Sequence, residues 1–416
     1  MNELLEKYNN NNLKISLLNK EYSALLVNKN NQLILQLIDG VDRDTYLKLK
    51  NSFPIVNGKI EGRNITFFNL VSSSSSANGA TELFSMTFKI DMFVEGMKYT
   101  SKKNKKIKSI NFEYYDLENF SISPFYDYGE NLNPIFKYKH NEFNFNDYKL
   151  TILIGNLTTH GHSIYKCKKR VSFTIEYRNK QTLQNTIQDV WALKCFIGII
   201  SKRIIGIKEI KINDNNILFM NLTYFEDKDY KNEFLQHEYE QFVLTLEDLE
   251  NDFKLIYEQF LVVFKDITPI FDIYLDMIEK ETSRMNRFLN CNQIIEYMSK
   301  EYDNVNAKQV WIDNGKPGFG ITLSDRIESM IKNLNYIWGF KKTRIHTISR
   351  KIADGRNYFN HHSQPLKKME NDELFRFSYF LEDLLLGYLY NKIGVSQKTI
   401  KERLNYNLYY DKKHIK

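Results

Sequence analysis

The chain has 416 residues, 42% of them hydrophobic and 26% charged, with a formal net charge of +7. That balance excludes a disordered chain and supports two or three folded domains, with cores drawn from 27 Tyr and 29 Phe. Three widely spaced cysteines, Cys167, Cys195 and Cys291, do not fit a secreted disulfide framework. No signal-peptide pattern opens the chain and no apolar run reaches about 20 residues, so a cytoplasmic protein without a membrane partner is expected.

Up to about residue 225, apolar residues recur with a period of two, which signals strands. The clearest are 33–38, 65–70, 84–90, 150–154 and 171–177. Asp39-Gly40, Asn57-Gly58 and Asn78-Gly79 read as turns, and Ser72 to Ser76 as part of a low-complexity loop. The basic run from Ser101 to Lys108 reads as a solvated hairpin loop. His160-Gly161-His162 with Cys167 falls short of a zinc spacing, and a loop between strands is the plainer reading. One helix interrupts this half near Ile187 to Lys202, with Trp191, Cys195 and Phe196 read as core.

Beyond about residue 235 the period becomes helical. Helices are expected over 238–264, from Pro269 onward, and over 287–301, 323–334, 343–358, 373–392 and 396–405, with a loop at 314–318. Trp311 and Trp338 again read as core. The fold class is therefore α+β: a β-rich domain over 1–235, then an all-α region over 236–416. From Lys341 to Lys416 there are 16 Lys and Arg against 8 Asp and Glu, while the first 340 residues sum to −1. Positive charge gathered in one segment is the footprint of phosphate binding.

Within that segment, Arg356-Asn357-Tyr358-Phe359-Asn360-His361-His362 carries the sharpest chemistry. A bare Arg with His five positions on is a weak pattern, and on an ideal helix the two would diverge by about 140°. Pro365 places the helix end around 360–363, where His361 can fold back toward Arg356. The residue types suit RNA cleavage, in which the 2′-OH is the nucleophile. A His acts as general base or acid, and an Arg clamps the phosphate as charge builds. Asn357 is placed to orient either. No metal or other cofactor is called for, and no Gly-rich phosphate loop or acidic cluster points to another class.

The segment Arg356–His361 resembles the R-N-x-x-x-H signature of HEPN ribonucleases. Phe288-Leu289, Gln293–Tyr297, Leu323–Ile327 and the closing run from Leu384 to Ile400 resemble the ApeA-like branch, and the Gly58…Gly62 turn and the Trp191 helix are similar to its N-terminal domain. The resemblance implies an all-α HEPN bundle with its core over about 282–416 and a regulatory or sensing β-rich half. It also implies a homodimer with facing motifs, RNase activity on RNA (tRNA included) and abortive antiphage defence answering a phage-derived trigger. The frame makes Arg356, Asn357 and His361 the catalytic candidates, His361 being favoured over His362. Arg344, Arg350, Lys351 and His362 become the RNA-binding ones. Gly355 departs from the pattern, where a Thr-like residue is common. A catalytically silent HEPN binding module, or the toxin of a toxin–antitoxin pair, are the alternatives.

Overall fold

The computed structural model describes residues 6–29, 32–78, 83–114, 117, 120–121, 126–128, 134–136, 139–160, 165–202, 206–214, 216–220, 243–249, 251–279, 283–315, 320–361 and 369–404. The chain divides into two compact units, one of 1–191 with 205–240 and one of 192–204 with 241–416.

The first unit is built on antiparallel strands. Six of them, β1 (Asn11–Leu17), β2 (Lys20–Lys29), β3 (Gln32–Leu37), β4 (Phe53–Ile60), β5 (Arg63–Asn78) and β6 (Leu83–Lys89), form a closed ring in the order β1-β2-β3-β6-β5-β4. Alternate residues such as Leu13, Ile15, Leu33, Leu35, Ile65, Phe67, Met86 and Phe88 join one buried cluster, as a period of two requires. The long β5 also pairs with β7 (Met92–Glu95), from which the sheet continues through β15 (Asn216–Met220), β14 (Ile207–Ile212), β8 (Ile107–Tyr114), β13 (Tyr165–Gln181) and β12 (Tyr148–His160) to β11 (Lys139–Asn144). A separate pair joins β9 (Tyr126–Tyr128) to β10 (Pro134–Phe136). A short helix, α1 (Arg43–Leu49), is capped by the Asp42 side chain, which accepts from the Thr45 amide.

Three sequence expectations fail in this unit. Ser72 to Ser76 are not a loop: they extend β5 and pair with β6 from Ser72↔Phe88 to Ser76↔Ser85. A run of identical polar residues shows no alternation, so the strand is imposed by its neighbour's ladder. Asn57-Gly58 is not a turn either, because both lie inside β4, with Gly58 opposite Ile15 and Ile65. A Cβ on Gly58 would lie 2.5 Å from the Lys14 carbonyl oxygen, so this glycine admits the close approach of β1. The hairpin turns instead at Glu61-Gly62, both at positive φ (48° and 80°). The register His160↔Tyr165 places His160 at a hairpin end, with Gly161 and His162 outside the described residues. Residues 101–106 form a loop into β8 but not the expected hairpin, since β7 pairs with β5 and β15 and β8 with β13 and β14, and Ile107 and Lys108 already belong to β8.

Helix α2 (Leu183–Ser201) contributes its residues from Ala192 on to the second unit. There Phe196 meets Phe253, Tyr257 and Phe260 at ring distances of 5.7, 5.1 and 5.1 Å. The expected 238–264 helix is a short α3 (Leu246–Leu249) followed by α4 (Phe253–Glu279), which kinks at Ile267 (φ −127°, ψ 31°). Pro269 stands just past that kink, in the first turn of the restarted helix, where its missing N–H costs least. Then come α5 (Arg284–Tyr302), α6 (Asn304–Asp313), α7 (Leu323–Asn333), α8 (Asn335–Trp338), α9 (Lys342–His361), α10 (Asn371–Lys392) and α11 (Gln397–Leu404). α7 opens with a capping box between Thr322 and Asp325. The α6 helix had no clear sequence signal, since its outer face carries Val305 and Ile312 exposed. Among the described residues no helix is long and apolar enough to cross a membrane.

Candidate active site

Helix α9 starts after Gly339, whose left-handed backbone (φ 65°) ends α8. Ile345, Ile348, Ile352 and Ala353 are buried at spacings of three, four and one, giving the helix an inner face. Gly355 belongs to that face as well. A Cβ there would meet the Met369 methyl group, the movable end of a flexible side chain, with Phe288 at ordinary contact distance, so a larger residue requires Met369 to shift.

Arg356 leaves the helix on the same side as Ile345, Ser349 and Ile352 but close to the helix end, and is half-buried. Its guanidinium donates through Nη2 to Glu296 Oε2 on α5 at 3.3 Å and through Nη1 to Asn357 Oδ1, also at 3.3 Å. Glu296 accepts in addition from Lys300 Nζ at 2.8 Å, one helical turn on. That hydrogen bond, helped by the charges of Arg356 and Arg326, holds the Glu296 carboxyl below its usual range against the opposing effect of burial. Arg326 stands behind on α7, 7% exposed, donating to Asn304 Oδ1 at 3.2 Å and Ser299 Oγ at 3.5 Å. Burial pulls the Arg326 pKa below its ordinary value, and Glu296, Asp303 and Asp325 oppose that. The site therefore presents a preformed guanidinium between a carboxylate and an amide, a geometry suited to taking a phosphate in exchange for Glu296.

The helix continues through His361, so the backbone does not turn back before it. At about 100° per residue, positions 356 and 361 leave one continuous helix roughly 140° apart. His362 lies outside the described residues. The other candidate cations fall on different faces. Arg350 is exposed, on the same face as positions 357 and 361, with no carboxylate in salt-bridge reach among the described residues. Lys351 points elsewhere and pairs with Glu373 at 3.1 Å, and Arg344 lies over the Phe340 ring at 4.8 Å. Lys341 and Lys342 stand exposed at the helix start. Glu296 and Arg326 were visible in the sequence only as parts of two landmark segments, since nothing local says that α5 and α7 deliver them to Arg356. Among the described residues no group of three or more His, Cys, Asp or Glu side chains is placed to hold a metal.

Residues 16–260, more than half of the chain, match the family model for ApeA N-terminal domain 1, and residues 269–399 match that for the Apea-like HEPN domain. The chain belongs to the ApeA family. No curated protein and no solved structure matches it. Glu296, Arg326, Arg356, Asn357 and His361 all lie within the HEPN match of this ApeA-family chain. HEPN domains are generally ribonucleases that commonly dimerise and bind RNA, and membership of the ApeA family supports, at that coarse level, an RNase-type or nucleotide-binding role among defence proteins.

Proposed function

We propose that the chain is a metal-independent endoribonuclease that acts as a homodimer in abortive antiphage defence, with tRNA within its substrate class. The observation that carries this reading is the half-buried Arg356, held by Glu296 and Asn357 five residues before His361 inside an ApeA-like HEPN domain. His361 removes the proton from the ribose 2′-OH, whose oxygen attacks the adjacent phosphorus while the 5′-oxygen leaves. Arg356 exchanges Glu296 for the phosphate oxygens and stabilises the charge that builds there. Products carry a 2′,3′-cyclic phosphate and a 5′-OH, and DNA, without the 2′-OH, is not cut. The angular separation of positions 356 and 361 on one helix supports the dimer. A second copy related by a two-fold axis supplies an imidazole facing the first copy's guanidinium, and an acid to match the base. In this reading the domain over about 1–235 senses the phage-derived trigger, and a HEPN core over about 282–416 performs the cut.

The test is incubation of the purified chain with total RNA in EDTA, with end-group analysis of the products. Cyclic phosphate ends from the wild type, and intact RNA from His361→Ala, are expected. Equal cleavage by both would overturn the assignment.

A further inference from the structure

A second imidazole stands on the same helix, ten residues before Arg356. His346 Nδ1 lies 2.9 Å from Glu328 Oε2 on α7, and the Glu328 side chain is only 1% exposed while that of His346 is 37% exposed. Glu328 also accepts from Lys332 Nζ at 3.0 Å and from Asn314 Nδ2 at 3.3 Å. Burial raises the Glu328 pKa, yet the hydrogen bonds from His346, Lys332 and Asn314 outweigh it and leave the carboxyl below its usual range. An ionised carboxylate forces Nδ1 to be the donor and so fixes the orientation of the ring. Glu328 already has a cation and an amide, so balancing its charge does not require a histidine. What the pair adds is a fixed imidazole whose Nε2 has no partner among the described residues.

The place of His346 on the helix gives that imidazole a use. Positions 346, 350, 357 and 361 leave α9 within about 60° of one another, forming one polar stripe along the helix. His346, the exposed Arg350, which has no carboxylate in salt-bridge reach among the described residues, and Asn357 lie on this stripe, with the exposed Asp354 at its border. His346 is about 15 Å along the axis from Arg356, the length of about four phosphates at the spacing of a stacked strand.

We propose that His346, oriented by Glu328, forms with Arg350 a subsite for the RNA backbone about four phosphates from the cleaved bond, a reading that rests on the ribonuclease assignment above. Nε2 accepts from a ribose 2′-OH when neutral and donates to a phosphate when charged, and Arg350 takes the neighbouring phosphate. The subsite makes binding depend on strand length and gives the site a second point at which RNA and DNA differ.

The experiment measures binding of a 12-nucleotide RNA and of the DNA of the same sequence to the full chain carrying His361→Ala, so that cleavage does not interfere. His346→Asn is the informative variant, because its amide N–H takes the place of Nδ1 toward Glu328 and only the outward nitrogen is lost. His346→Asn is expected to weaken RNA binding about tenfold without lowering the melting temperature. Arg350→Ala should lower the salt slope by about one unit. DNA binding that falls as much as RNA binding assigns the contact to phosphate, and a smaller fall assigns it to the 2′-OH. Unchanged RNA affinity in both variants would overturn the subsite, even if the wild type cleaves RNA. Should His346→Asn lower the melting temperature by several degrees, the imidazole serves Glu328, and Arg350→Ala, at an exposed position, decides the subsite alone. Failure of the wild type to cleave would instead overturn the ribonuclease reading and leave the binding result standing.

Discussion

Replacing Arg356 with Ala separates chemistry from stability, because the structure makes the two costs unequal. The Arg356–Glu296 pair is 3.3 Å apart, with side chains 28% and 29% exposed, which places it among pairs worth about 0.2–1 kcal/mol. Its loss does not orphan the carboxylate, since Lys300 stays on Glu296 at 2.8 Å. For a unit of this size about 1 kcal/mol moves the melting temperature by about 2–4 °C, so Arg356→Ala should melt no more than a few degrees lower. The rate should fall by about 100- to 1,000-fold if, as proposed, the guanidinium meets the developing phosphate charge. Arg356→Lys keeps the charge but loses the planar fork, and should recover only part of that rate. Cleavage of total RNA and thermal melting, run on the same preparations, give both numbers. Wild-type cleavage by Arg356→Ala refutes the role given to the guanidinium. A collapse in melting temperature would show it to be structural.

Three more outcomes follow from the geometry. His361→Ala should lose about 100- to 10,000-fold in cleavage rate while His362→Ala loses little, measured on the same RNA. The carboxyl of Glu328 is held below its ordinary value of 4.5 in the folded chain, so its contribution is complete above that pH and is lost as pH falls through the depressed value. Urea midpoints between pH 7 and pH 3 should therefore fall less steeply for Glu328→Gln than for the wild type, and equal slopes would count against the pairing. Gly58→Ala should destabilise the β-rich unit by about 1–3 kcal/mol, because its Cβ meets backbone and not a movable side chain. An unchanged denaturant midpoint would show that β1 can give way.

The parts of this fold that could be read ahead were those with a clean period. The strands at Ile65–Leu70 and Val171–Tyr177 and the helices α5, α7, α9 and α10 lie where alternation or helical spacing put them. Polar serines within β5 could not show a period, and Asn57-Gly58 carries the composition of a turn for a packing reason. In the candidate site, Arg356, Asn357 and His361 share one helix and were readable as a motif. Glu296, 60 positions away, is brought to Arg356 by the packing of α5 on α9, which no local pattern encodes. The charge excess after residue 341 was real, yet Lys351 and Arg344 are occupied by Glu373 and Phe340, because a count along the sequence ignores the direction in which each side chain leaves the helix.

The closed ring of β1 to β6 bears on how the chain behaves at high concentration. A sheet that ends on a strand offers unpaired amides and carbonyls to any other strand it meets, which is how ordered aggregates begin. Because β6 pairs with both β3 and β5, the six ring strands offer no such end, and among the described strands the large sheet terminates only at β11. That strand is six residues long and carries Lys139, His140 and Glu142, with Glu142 tied across to Lys149 at 3.1 Å. A short, charged terminus is a poor template for an incoming strand. Among the described strands, the six of the ring and the end at β11 therefore give an incoming strand little to pair with, which lowers the tendency of the large sheet to nucleate ordered aggregates.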